Sequence, residues 1–108
     1  MTHERLNKLI ADILTESGKT FAKKNEEYSR EDALSNFKKA GNAKNCTPED
    51  ALLGMLTKHW VSVVDLIQDI DQNKLAPLSM WQEKCGDIRV YMMLLEALVT
   101  ERLDERGE

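Results

Sequence analysis

Apolar runs in this chain are short. None approaches the roughly 18 consecutive apolar residues that a membrane-spanning helix needs, so no membrane association is expected. Cysteine is scarce as well. Cys46 and Cys85 are the only two, too few for a disulfide framework or a zinc quartet. Two prolines and five glycines exclude a collagen-like or low-complexity chain. A strong charge of one sign is also missing. The net charge of −4 lacks the basic footprint that nucleic-acid binders spread over a whole face, and neither DNA nor RNA is an expected partner. No Gly-rich phosphate loop occurs, since Gly41 and Gly54 stand isolated. The opening stretch MTHERLNKLIADIL carries charges through its apolar positions, unlike a signal peptide. An untargeted cytoplasmic protein with free thiols is expected.

What is present reads as helix. The 108 residues suit one domain, 1–108. The expected fold class is all-α, a compact four-helix arrangement of three long helices and one short one. The first helix is predicted over about residues 2–24, where Leu6, Leu9, Ile10, Ile13, Leu14 and Phe21 form an apolar stripe. A short second helix is predicted over about 30–40, capped through Ser29 and Asp32, with Ala33, Leu34, Phe37 and Ala40 inward. GNAKNCTPED is the clearest break. After it Thr47 can cap, Pro48 fits the first helical position, and Glu49 and Asp50 suit the positive end of a helix dipole.

That third helix is predicted to reach about residue 73, with Leu52, Leu56, Val63, Ile67 and Ile70 inward. Ser79 with Gln82 resembles a capping box for a fourth helix running to about 104. IRVYMMLLEALV, residues 88–99, is apolar on nearly all sides, which suits burial between neighbours or within an oligomer. Trp81, Cys85, Ile88, Met92, Leu95 and Val99 make a coiled-coil-like seam. Tyr91, Leu94 and Leu98 make a second face. A homo-oligomer is therefore expected.

Charge and polar groups mark candidate sites. Residues 19–45 hold seven Lys/Arg against four Asp/Glu, so a small anionic ligand or a mixed solvated face both fit. Glu83 and Asp87 share a helix face at i, i+4 and are weak candidates for a divalent cation. They equally suit pairing with Lys84, Arg89 or a lysine of another helix. His59 lies beside Met55, Val63 and Leu66 on the third helix, as a core hydrogen-bonding group or a ligand. Trp60, Trp81, Met55, Met92 and Met93 suit core packing. Tyr28 stands among charges, to cover a helix end or to stack on a base.

KNEEYSREDALSNFKKA, PEDALLGMLTKHWVSVVDLI and EKCGDIRVYMMLLEALV together resemble a family of small all-helical phage and prophage proteins of the nucleotide-modification-associated type. The pattern is Lys-Asn-x-x-Tyr, an Asn-Phe pair, a helix with Lys-His, and a last helix with Asp before Tyr and leucines. It covers about residues 21–100. The layout is distantly similar to the all-α nucleotide pyrophosphohydrolases of the MazG and dUTPase type, in which paired carboxylates on adjacent helices hold magnesium. This chain departs from them in carrying Lys58-His59 where a carboxylate pair would be expected. Cationic and neutral donors suit phosphate, not magnesium.

The resemblance implies a ligand site made of Lys24, Asn25, Tyr28, Asp32, Asn36, Phe37, Lys58, His59, Lys84, Asp87 and Tyr91. Lys24 and Lys58 would meet phosphate. Asn25 and Asn36 would read a base edge or ribose, and Tyr28 or Phe37 would stack. Asp87 would accept from a ribose hydroxyl or fix His59 and Lys58. The same residues equally suit a polar network that locks segment 24–41 in place. The leading expectation is a phage-encoded protein that sequesters a nucleotide or nucleotide signal, without a cofactor, in the host cytoplasm and against host defence. The alternatives are a magnesium-dependent nucleotide pyrophosphohydrolase and an inhibitor that binds a host protein.

Overall fold

Four helices follow one another along the chain: α1 (His3–Glu27), α2 (Ser35–Lys44), α3 (Pro48–Ile70) and α4 (Leu78–Glu105). They come from a computed structural model that describes residues 1–27 and 32–108. Among the described residues there is no strand. The all-α class, with three long helices and one short, is as the periodicity predicts. By compactness the chain divides into two units, Met1–Ala33 and Leu34–Glu108.

The first unit contains the helix α1. The Thr2 hydroxyl accepts from the Arg5 N–H at 3.1 Å, satisfying one of the donors that a helix N-terminus leaves open. Glu4 in the first turn and Lys24 in the last suit the helix dipole. The expected inward stripe is not a buried one: Leu6, Leu9, Ile10 and Leu14 are all exposed.

In the second unit α3 packs against both α2 and α4. Phe37, Leu52 and Leu98 form the buried centre, at 8, 1 and 2% exposure, with Leu34, Met55, Tyr91, Leu94 and Leu95 packed around them. Each of these three helices thus contributes one side chain to that centre. The α4 face turned inward is that of Tyr91, Leu94 and Leu98. Met92 and Val99 of the predicted seam are exposed. Met93 of α4 is exposed, and so are Trp60, Ile67 and Ile70, because the covered face of α3 is the one through Leu52, Met55, Val63 and Leu66. Trp81 is half-buried, and its indole N–H donates to the Ala76 carbonyl at 3.2 Å.

Helix ends explain most shifts of boundary. Thr47 caps α3 as expected, its hydroxyl accepting from the Asp50 N–H at 3.1 Å, with Pro48 at the first position. The capping box at Ser79 does not form. Pro77 precedes the first residue of α4 and Ser79 lies inside its first turn. The Pro77 carbonyl already accepts from the Met80 N–H at 3.0 Å, and the Trp81 bond ties the loop down.

Helix α2 starts and ends later than its predicted 30–40. Asp32 lies ahead of it, exposed, and Ser29 is outside the described residues. The helix continues through Gly41 and stops at Asn45, whose φ of 54° and ψ of 42° are left-handed. The Cys46 N–H then bonds the Gly41 carbonyl at 2.9 Å, and the Asn45 N–H bonds Asn42 at 3.3 Å. This is the Schellman pattern, with asparagine in the place that glycine usually fills. Asn73, at φ 59°, closes α3 in the same way, with the Lys74 N–H on the Asp69 carbonyl at 2.9 Å.

Two ion pairs join the helices at one end of this unit. Lys38 Nζ lies 2.6 Å from Glu101. Arg102 grips Glu49 through two bonds, Nε to Oε1 and Nη2 to Oε2, the latter at 2.8 Å. The guanidinium holds the Glu49 carboxyl below its ordinary value of 4.5. A carboxylate whose folded-state value is depressed adds stability above the unfolded value and loses it as pH falls through the folded one. Glu49→Gln is therefore expected to melt slightly below wild type at pH 7. The gap should narrow as the pH drops below 4.5 and close once wild-type Glu49 is protonated. Melting curves of both proteins across acid pH check this. The pair is solvent-exposed, so the effect is small.

Candidate functional site

Three helices of the second unit bring four of the predicted site residues together: Phe37 from α2, His59 from α3, and Asp87 and Tyr91 from α4. Asp87 and Tyr91 are four residues apart and therefore stacked on one helix face. His59 meets both. Its Nδ1 lies 3.4 Å from Asp87 Oδ2, and its ring lies 5.0 Å from that of Tyr91 at a 38° tilt. The side chains of His59 and Asp87 are 31 and 27% exposed, so both remain open to a ligand. The Asp87 carboxylate thus lies beside His59.

At 3.4 Å the pair is longer than the roughly 2.7–2.9 Å of a charge-assisted hydrogen bond. It aligns the ring electrostatically without gripping it. In the tautomer that carries its proton on Nδ1, the neutral ring offers Nε2 as an acceptor. Tyr91 is braced from behind: Phe37 meets its ring edge-on, 6.4 Å between centroids at 75°. Such edge-to-face pairs add about 0.5–1.5 kcal/mol beyond their buried area. Phe37 is a buried core residue, so it supports Tyr91 and offers no face for stacking.

Cations flank the cluster. Lys58 precedes His59 on α3 and is exposed, and Lys84 lies one turn before Asp87 on α4, half-buried. Lys84, Asp87 and Tyr91 follow one another at spacings of three and four along one face of α4. Asn36 is exposed beside Phe37 on α2. Lys24, Asn25 and Asp32 belong to the first unit, where all three are exposed. Tyr28 lies outside the described residues.

Among the described residues, no ligand set suits a magnesium site of the pyrophosphohydrolase kind. Glu83 is exposed and Asp87 faces His59. Among the described residues no three His, Cys, Asp or Glu side chains gather where they could hold a metal ion. A concavity of about 380 Å³ lies at the end of the unit that carries the ion pairs, where Lys38, Glu49, Glu101 and Arg102 are among its lining residues. Sequence reading missed it. Arg102 and Glu49 are 53 positions apart, and nothing local links them. With Glu105 its carboxylates outnumber the two cations, which leaves no positive excess for an anionic ligand.

Comparison of the chain with protein-family models, with curated proteins and with solved structures finds no match in any of the three.

Proposed function

We propose that the His59–Asp87–Tyr91 face binds a nucleotide or nucleotide-derived signal and that the protein acts by sequestering it, without chemistry. The supporting observation is the imidazole of His59, aligned by Asp87 and lying against the braced Tyr91 ring. Half-exposed rings suit the π-face of a base, and the lysines beside them suit phosphate. In this reading the protein is phage-encoded, works in the host cytoplasm as a homo-oligomer, and withdraws a nucleotide signal from host defence.

Calorimetric titration of the full chain with mono-, di- and cyclic nucleotides tests the proposal. One class is expected to bind at micromolar concentration or tighter and to be recovered unchanged. His59→Ala is expected to weaken it about tenfold or more, in line with roughly 1–3 kcal/mol for a lost base-stacking partner. Absence of heat with every nucleotide overturns the proposal. Turnover in the presence of Mg²⁺ replaces sequestration by the hydrolase reading.

A further inference from the structure

Helix α1 carries its exposed aliphatic residues, Leu6, Leu9, Ile10 and Leu14, within nine positions. At 100° per residue they fall on one side of the helix, where a contiguous apolar patch marks an interaction surface. The two flanks of this stripe differ. Arg5, Asp12 and Glu16 border it on one side, and the other carries Asn7 and Ala11. Glu4 and Lys8 point away from it.

This one-sided charge pattern selects the partner. In a parallel pair of α1 helices, the charged flank of each would meet the uncharged flank of the other. In an antiparallel pair it meets itself, reversed. Centred between Leu9 and Ile10, such a pair sets Leu6 opposite Ile13 and Leu9 opposite Ile10. It also drops Arg5 of each chain between Asp12 and Glu16 of its mate, twice by symmetry. Among the described residues Glu16 makes an exposed contact to Lys19 at 3.7 Å, which competes weakly.

We propose that α1 is a two-fold, antiparallel docking surface for a second copy of this chain, built on Leu6, Leu9 and Ile10 and registered by Arg5 against Asp12 and Glu16. This is independent of the nucleotide reading. The paired segment is about 20 Å long at 1.5 Å per residue. That falls short of the roughly 800 Å² per partner of a tight complex, so the dimer exchanges with monomer at micromolar chain concentrations.

Sedimentation equilibrium of the full chain measures the dimer constant, with helicity followed in parallel to confirm folding. Ile10→Glu is expected to weaken dimerisation at least tenfold. Arg5→Glu should weaken it several-fold, and so should the pair Asp12→Lys with Glu16→Lys. All three exchanges together should restore it. A wild-type monomer at high micromolar concentration overturns the proposal, as it would if the stripe docked elsewhere in its own chain or on a different protein. Failure of the triple exchange to recover association overturns it equally.

Discussion

Leu52→Ala is expected to lower the unfolding free energy of the Leu34–Glu108 unit by about 3–4 kcal/mol, the upper part of the range for leucine truncations in cores. Leu52 is the largest fully buried side chain among the described residues. It lies in the one cluster to which α2, α3 and α4 all contribute. Three helices leave few layers that can collapse into the space, so the lost transfer energy and the cavity cost add. Against a total stability of about 5–15 kcal/mol for a small domain, that is a large share. Leu53 is the control. It is the same residue one position on and is 58% exposed, and its truncation should change stability by no more than about 0.5 kcal/mol. Urea titration decides, with the midpoint shifting and the slope unchanged.

That contrast between neighbouring leucines also shows what was legible in the sequence. The number and type of the helices were readable, because apolar spacing and the Thr47–Pro48 start are local signals. The left-handed ends at Asn45 and Asn73 were readable in principle, since asparagine tolerates that conformation. The third helix was read to about Asn73, while the second was ended near residue 40, at the break that GNAKNCTPED marks. Which face of α4 turns inward was not readable. Residues 88–99 are apolar nearly all round, so only tertiary packing could choose Leu98 over Val99.

The candidate site divides in the same way. His59, Asp87 and Tyr91 stood out by pattern, and the i, i+4 spacing of Asp87 and Tyr91 already placed them on one face. That the Asp87 carboxylate faces His59 depends on the packing of α4 against α3, which no local spacing encodes. The burial of Phe37 likewise follows from its position under Tyr91 and not from its neighbours in the chain.

Gly41→Ala sets two large effects against each other and is expected to destabilise. Gly41 is buried in the last turn of α2, where helix propensity alone would favour alanine by about 1 kcal/mol. A Cβ there would lie 2.8 Å from the Cys46 carbonyl oxygen and 3.0 Å from the backbone at Thr47 and Pro48. All three are main-chain atoms, so no side chain can swing aside. The segment that must move is held by the Cys46 N–H bond to Gly41 itself and by the Thr47 cap of α3. Overpacking of this kind costs about 1–3 kcal/mol, enough to exceed the propensity gain. Gly54 reverses the balance. It lies in α3 with nothing within 4 Å of the added methyl, so Gly54→Ala should stabilise by roughly 0.5–1 kcal/mol. Thermal melts of the two variants should therefore move in opposite directions. A rise in both would mean that the α2–α3 turn yields more easily than its capping bonds imply.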